Sequence, residues 1–164
     1  MTLLEAEKYF NEYILPPKGF IYCDIKREID LARAGKSGGN LLAAIGLLSY
    51  TEFMGKILLK NNGSYTKQFK AFLQLMGEDY KRLFEEKELD VYKLFRSGMV
   101  HSYFANDCDI KMLNDDYPSG IIIKTDGKIL SVVEKYFDDF VIACQKLYQD
   151  IVSSGDEDIY LPTE

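Results

Sequence analysis

Residues 40–60 read Asn-Leu-Leu-Ala-Ala-Ile-Gly-Leu-Leu-Ser-Tyr-Thr-Glu-Phe-Met-Gly-Lys-Ile-Leu-Leu-Lys. Apolar residues occupy nearly every face of the first half, a pattern that is typical of a helix enclosed by other helices. Small residues in this stretch would let neighbouring helices approach closely: Ala43, Ala44, Gly46 and Gly55. The stretch therefore predicts the central helix of a mainly α-helical domain.

Further helices are predicted on both sides of this stretch, over residues 2–15, 19–34, 64–76, 78–87 and onward from Leu89. The first helix starts with Thr2 and Glu5, which have the spacing of a capping box. Pro16 and Pro17 end it, because proline removes a backbone donor and restricts the residue before it. Gly35 stands where a C-terminal cap of the second helix is expected.

The last predicted helix covers residues 131–153. Ser131 and Glu134 have the spacing of a second capping box at its start. The helix carries a strong apolar face, made of Val133, Phe137, Phe140, Val141, Cys144, Leu147, Tyr148 and Ile151.

A small β structure is predicted just before this last helix. Residues that favour strands cluster over 110–113 and 120–125, and Asp126-Gly127 is a strong tight-turn signal. Residues 128–130 can extend the resulting hairpin or meander. The expected fold class is therefore all-α in the main, an up-and-down helical bundle with a small β-hairpin inserted before the last helix.

The chain of 164 residues fits a single domain over 1–164, and we find no repeat or linker that divides it. Residues 154–164 are predicted to form an acidic flexible tail. Apolar residues make up 47% of the chain and charged residues 28%, which is ordinary for a soluble protein. The net charge of −6 argues against a broad surface for non-specific nucleic-acid binding, but it does not exclude a local basic groove.

The same composition favours a cytoplasmic protein. The three cysteines, Cys23, Cys108 and Cys144, are widely spaced and form no CxxC pair, so we expect reduced thiols. The N-terminal residues contain no apolar core of a signal peptide. The longest apolar run, residues 41–48, is too short to span a bilayer, and no membrane association is expected.

Two short patterns resemble ligand sites but do not meet the requirements of those sites. Gly35-Lys36-Ser37 resembles the end of a phosphate-binding P-loop, yet Asp30 occupies the position of the first required glycine. His101 and residues 107–109 offer metal-ligand side chains, but their spacing matches no standard site. The sequence therefore predicts neither a P-loop nor a bound metal, and it indicates no cofactor.

Glu52 is the single acid of the central helix. Lys56 follows it by four residues in the favourable Glu-to-Lys order, so an exposed ion pair is the preferred interpretation. A buried pair between Glu52 and a distant arginine is the alternative.

The candidate functional stretch is Leu94-Phe95-Arg96-Ser97-Gly98-Met99-Val100-His101-Ser102-Tyr103-Phe104. It contains the only histidine of the chain, five residues after Arg96 and two before Tyr103. On a regular helix, positions five apart lie about 140° apart, so Arg96 and His101 do not share one smooth face. Gly98 allows a bend or the close approach of a second helix, which suits two copies that bring Arg96 and His101 together.

These two side chains have complementary roles in RNA cleavage. Histidine titrates near neutral pH and can remove the proton of a ribose 2′-hydroxyl. Arginine stays charged and offers a planar fork of donors to a phosphate that gains negative charge. Such a reaction needs no metal ion. Spacing alone is weak support, because a helix-end histidine and a salt-bridged arginine produce the same pattern.

Residues 96–101 resemble the R-x4-6-H motif of the HEPN superfamily, and the continuation to Tyr103 resembles its R-x4-H-x-Y form. The resemblance implies a dimeric helical bundle and a metal-independent ribonuclease in a defence or toxin–antitoxin system. It assigns Arg96 to phosphate stabilisation and His101 to catalysis. Tyr103 would be the tyrosine that a nucleotidyltransferase-type antitoxin modifies.

Ser97 departs from the family pattern, which typically has asparagine at this position. Serine keeps a polar group but loses the amide, and some members of the superfamily bind or regulate without cutting. A non-catalytic interaction, nucleotide-binding or regulatory module is therefore the second hypothesis. A structural protein with an accidental motif is the third.

Overall fold

The computed structural model describes residues 2–36, 39–85, 92, 108–113, 116–126, 128–155 and 159–162. Helices form most of this part of the chain: α1 (Leu3–Tyr9), α2 (Phe20–Arg33), α3 (Asn40–Leu58), α4 (Tyr65–Leu75), α5 (Glu78–Glu85) and α6 (Val133–Ser154). A π-helical turn, Phe10–Ile14, continues α1. The mainly α-helical fold class is confirmed.

Helix α3 lies at the centre of the described core, where it packs on α4, α6 and α2. Its buried residues are Ala43, Ala44, Leu47, Leu48, Thr51, Met54, Gly55 and Ile57. At Gly55, α3 and α4 meet backbone to backbone, because a Cβ there would lie 1.8 Å from the carbonyl oxygen of Gln68. The predicted central helix and the need for a small residue at Gly55 are both confirmed.

Helix α3 is also long and apolar enough to cross a membrane by length and composition alone, with a mean hydropathy of 1.4 in its most apolar window. In this fold, 44% of that window is buried. The core helix of a soluble protein meets the same criteria, so a cytoplasmic location stays a prediction.

Local sequence signals at the helix ends agree with the structure. The Glu5 amide donates to Thr2 Oγ1 at 3.3 Å, and the Thr2 amide donates to Glu5 Oε2 at 2.9 Å, which completes the predicted capping box. Gly35 follows α2 with a φ of +71°, the left-handed conformation that glycine adopts at helix ends. The chain before Gly35 is helix α2, whereas a P-loop requires a strand there.

The β structure is a three-stranded sheet of β1 (Cys108–Lys111), β2 (Ile121–Ile123) and β3 (Ile129–Val132), in the order β1-β3-β2. Strands β2 and β3 pair antiparallel, so the predicted hairpin before the last helix is present. Strand β1 pairs parallel with β3, with Cys108 opposite Ile129. This parallel pairing goes beyond the predicted hairpin, because it depends on contacts that local sequence does not encode.

The predicted capping box at the start of the last helix is wrong. Ser131 belongs to β3 and is buried, and α6 begins at Val133 without a side-chain cap. The Glu134 amide donates to the Met112 carbonyl at 3.1 Å, and the Glu134 carboxylate pairs with Arg33 of α2. Tertiary contacts therefore replace the local cap.

The flexibility expected for the tail over residues 154–164 stays a prediction, and two apolar side chains of this segment are buried. Ile159 is 9% exposed and Leu161 is 4% exposed, and both join the hydrophobic core. Burial of apolar surface holds them in place.

Candidate functional site

The four predicted site residues, Arg96, Ser97, His101 and Tyr103, lie outside the residues that the structure describes. Their roles and mutual geometry therefore stay predictions. The described residues closest to them in sequence are Tyr92, four positions before Arg96, and Cys108, seven positions after His101.

Tyr92 lies between α3 and α4. Its hydroxyl donates to Glu52 Oε2 at 2.9 Å. Its ring meets Phe69 of α4 edge to face, with centroids 5.5 Å apart and planes at 67°. Tyrosine suits such a position, because its ring packs on apolar surface while its hydroxyl finds a polar partner.

Glu52 is half-buried in the otherwise apolar helix α3. The preferred interpretation of the sequence paired it with Lys56. In the structure the Lys56 ammonium lies over the ring of Tyr160, 5.8 Å from its centroid, and Glu52 accepts the hydrogen bond of Tyr92. The Glu52 carboxylate therefore lies beside Tyr92, a partner from outside its own helix.

The contact between α3 and α4 supports this arrangement. Gly55 follows Glu52 by three residues, and Gln68 precedes Phe69 directly. The backbone contact at Gly55 and Gln68 thus lies next to the two side chains that hold Tyr92. A helix separation at this point would disturb both partners of Tyr92 together.

After the motif, the next described residue is Cys108, the first residue of β1. Burial, with the nearby Asp109 carboxylate, raises the pKa of the Cys108 thiol to about 11. A hydrogen bond and the charge of Lys124 lower the pKa of the exposed Asp109. Cys108 is therefore a protonated thiol near neutral pH, not a ready nucleophile.

A buried polar network joins the sheet to α5 and α6. The Tyr80 hydroxyl donates to Asp139 Oδ2 at 2.7 Å and accepts from the Gly120 amide at 2.8 Å. Lys135 donates to the other Asp139 oxygen at 2.5 Å. Burial raises the pKa of Tyr80 far above its ordinary value. These groups satisfy one another, so the network serves the fold.

A groove of about 460 Å³ lies between α2 and α6. Its floor includes Phe137, which packs on Tyr22, and its charged side chains are Lys26 and Arg33 from α2 and Glu134 and Asp138 from α6. Lys26 pairs with Asp30, and Arg33 pairs with Glu134. None of the described residues that line the groove is a histidine, the usual proton-transfer group of RNA cleavage.

Metal binding finds no support in the described ranges, where no three His, Cys, Asp or Glu side chains come together. The expectation of a metal-free site stays a prediction, because the only histidine is outside these ranges.

The hydrogen bond between Tyr92 and Glu52 was not predicted from the sequence. The sequence signal for this contact was Glu52, the single acid of an otherwise apolar helix. No protein-family model matches the chain, and neither a curated protein nor a solved structure matches it.

Proposed function

We propose that the chain is a cytoplasmic, HEPN-like ribonuclease that cleaves RNA without a metal ion or cofactor, in a defence or toxin–antitoxin role. The observation that carries the proposal is the Arg96-x4-His101-x-Tyr103 pattern around the single histidine. The mainly helical fold of the described residues supports it, because domains of this superfamily are helical bundles. The finer architecture, an up-and-down bundle of the HEPN type, is part of the same proposal.

The proposed reaction is an attack of the ribose 2′-hydroxyl on the adjacent phosphate. His101 takes the hydroxyl proton, the 2′-oxygen bonds to phosphorus, and the bond from phosphorus to the 5′-oxygen breaks. The departing 5′-oxygen receives a proton, which leaves a 2′,3′-cyclic phosphate and a 5′-hydroxyl. Arg96 stabilises the negative charge that builds on the phosphate oxygens.

The proposed active site is shared by two copies of the chain. Arg96 and His101 lie about 140° apart on a regular helix, so one copy does not direct both at the same phosphate. A symmetric homodimer brings the arginine and histidine of both copies into one cleft, and Gly98 allows the close approach. The second histidine can then supply the proton for the leaving oxygen.

The resemblance also suggests how the activity is controlled. Tyr103 is the proposed target of a nucleotidyltransferase-type antitoxin, which would add a nucleotide to its hydroxyl. Ser97, next to Arg96, is a supporting residue of the cleft.

A non-catalytic module is the second candidate function. Ser97 in place of asparagine and the acidic charge of the chain, with a pI near 4.9, favour it. In that case the same cleft binds a nucleotide or a partner protein and does not cut RNA.

The test is incubation of the purified chain with mixed RNA in EDTA. We expect cleavage by the wild-type chain and a loss of at least about 100-fold in both Arg96→Ala and His101→Ala. Arg27→Ala, which removes an exposed arginine of α2, is the matched control and keeps full activity.

Absence of cleavage by the wild-type chain, or full activity in both motif variants, would remove the ribonuclease proposal. RNA or nucleotide binding without cleavage would then favour the module. Gel filtration is the companion measurement, and a strict monomer would rule out the shared cleft.

A further inference from the structure

The groove between α2 and α6 has the size and the lining of a small-molecule site. Its volume is about 460 Å³, and ligand pockets in proteins commonly measure about 300–1,000 Å³. Apolar side chains of both helices form most of its described lining, among them Ile29, Phe137, Val141 and Ile142. Pockets of this kind bind an apolar body and orient it with a small number of polar groups.

Two contacts across the groove hold its walls together. The ring of Tyr22, from α2, packs on Phe137, from α6, with centroids 5.4 Å apart and planes at 36°. Arg33 of α2 forms an ion pair with Glu134 of α6. Phe137 is buried, whereas Tyr22 is half-buried and keeps part of its ring available to an aromatic occupant. A groove that is already formed binds a ligand at a lower cost of ordering.

The cations of the groove lie on its α2 wall. Lys26 and Arg33 are seven residues apart, which is about 10 Å along a helix, and both line the groove. The Arg33 side chain is 57% exposed, whereas its partner Glu134 is 6% exposed. The buried carboxylate therefore holds the guanidinium in place at the surface. A guanidinium has five N–H donors, so donors of Arg33 remain for a second oxyanion.

Lys26 is the second cation of this wall. Its ammonium pairs with Asp30 on the same helix, and both side chains are well exposed. Exposed ion pairs of this kind are weak, so an anion in the groove can share the ammonium. The carboxylates of α6, Glu134 and Asp138, lie on the opposite wall. An anionic group in the groove is therefore directed to α2.

We propose that this groove binds a small amphipathic anion. The aromatic body of the ligand packs on Tyr22 and Val141, and its carboxylate, sulfonate or phosphate group binds Arg33 and Lys26. Removal of the apolar body from water drives binding, and the two cations select a ligand with a negative charge. The proposal does not depend on the ribonuclease function.

The first experiment compares two fluorescent probes that share one aromatic body. 8-Anilinonaphthalene-1-sulfonate carries a negative charge, and N-phenyl-1-naphthylamine is neutral. In fluorescence titrations we expect one sulfonate probe to bind per chain. Arg33→Gln should weaken its binding about 10-fold or more, and should leave the affinity for the neutral probe within about twofold. Lys26→Gln should weaken binding of the sulfonate probe about threefold.

Arg27→Gln is the matched control for the two cation variants. Arg27 is an exposed arginine of α2 that pairs with Glu28, and it is not among the described residues that line the groove. Its replacement should leave both affinities within about twofold, because exposed charges outside the site are screened. The urea unfolding midpoint of each variant shows whether it is folded. Lys26→Gln keeps the test decisive if Arg33→Gln does not fold.

The second experiment locates the aromatic body of the probe. Val141→Glu places a charge in the groove and should weaken binding of both probes about 10-fold or more. Val152→Glu makes the same change at an exposed position of α6 that is not among the described lining residues, and should leave both affinities unchanged.

Three results would overturn the proposal. The first is the absence of saturable binding of the sulfonate probe. The second is an equal loss of affinity for both probes in the cation variants, which would show a groove that does not select anions. The third is full binding in Val141→Glu, which would place the probe outside the groove.

Discussion

Tyr80 and Tyr92 both donate a hydrogen bond to a carboxylate, but their surroundings differ. Tyr80 is 2% exposed, and its hydroxyl both donates to Asp139 and accepts from the Gly120 amide. Tyr92 is half-buried, donates to Glu52, and rests its ring on Phe69. The same chemical pair is therefore buried at Tyr80 and only half-buried at Tyr92.

The two hydrogen-bonded pairs differ in burial and in the elements that they join. The Tyr80 pair joins α5, α6 and the segment before β2. Both hydrogen bonds of the Tyr80 hydroxyl are made to buried partners within the core. The Tyr92 pair stands four residues before Arg96 and depends on how α3 and α4 meet. We expect loss of the Tyr80 hydroxyl to cost more unfolding free energy than loss of the Tyr92 hydroxyl, because only the Tyr80 hydroxyl is fully buried.

The largest loss of stability is expected from Gly55→Ala, which disturbs the contact between the two helices that hold Tyr92, α3 and α4. Its Cβ would lie 1.8 Å from the Gln68 carbonyl oxygen, so α3 and α4 must separate. We expect a loss of about 3 kcal/mol or more in the free energy of unfolding, measured with urea.

Gly46→Ala is the control in the same helix. There the nearest atom to the new Cβ is the flexible end of Ile25, at 3.3 Å, and alanine favours helix by up to about 1 kcal/mol. Its stability should match or exceed that of the wild-type chain. Equal stability of the two alanine variants would contradict the close contact at Gly55.

Tyr80→Phe is expected to cost about 2–3 kcal/mol of unfolding free energy. The ring contact with Tyr136 remains, but the buried Gly120 amide loses its acceptor and Asp139 loses a donor. Tyr50→Phe is the matched control, because its half-buried hydroxyl meets Asp24 at 3.2 Å and should contribute less than about 1 kcal/mol. Similar losses of unfolding free energy in Tyr80→Phe and Tyr50→Phe would show that burial of the hydroxyl does not determine the cost of its removal.

The same tyrosine predicts a loss of stability at alkaline pH. Burial raises the pKa of Tyr80 far above its ordinary value of about 10, so the folded chain keeps a proton that the unfolded chain releases. The contribution of Tyr80 to the free energy of unfolding is complete below pH 10. It falls by about 1.4 kcal/mol for each pH unit above pH 10. Urea unfolding from pH 8 to 11 should show the wild-type chain approaching Tyr80→Phe in stability. Parallel curves would contradict this assignment.

The fold was predictable from sequence where the signal is local. The apolar stretch that forms α3, the Thr2 cap and the left-handed Gly35 each follow from neighbouring residues. The start of α6 was not predictable in this way. Glu134 has the spacing of a local cap, but it pairs with Arg33, 101 residues away, and Ser131 joins a strand. Distant contacts outweighed the local pattern.

The same distinction between local and distant signals applies to the predicted site residues and to the contact between Glu52 and Tyr92. Arg96 and His101 were identified from the sequence because their spacing is short and their chemistry is distinctive. Glu52 and Tyr92 are 40 residues apart, and only the fold brings them together. The sequence marked Glu52 as unusual but favoured Lys56 as its partner, because the i, i+4 rule considers one helix in isolation.

The smallest stability effect in this series is expected from Tyr92→Phe. The ring keeps its contact with Phe69, and the half-buried Glu52 can replace the lost donor with water, so the cost should be about 0.5–1 kcal/mol. The measurement is urea unfolding beside Tyr80→Phe. A loss as large as that of Tyr80→Phe would make the Tyr92 hydroxyl a structural contact like the buried one.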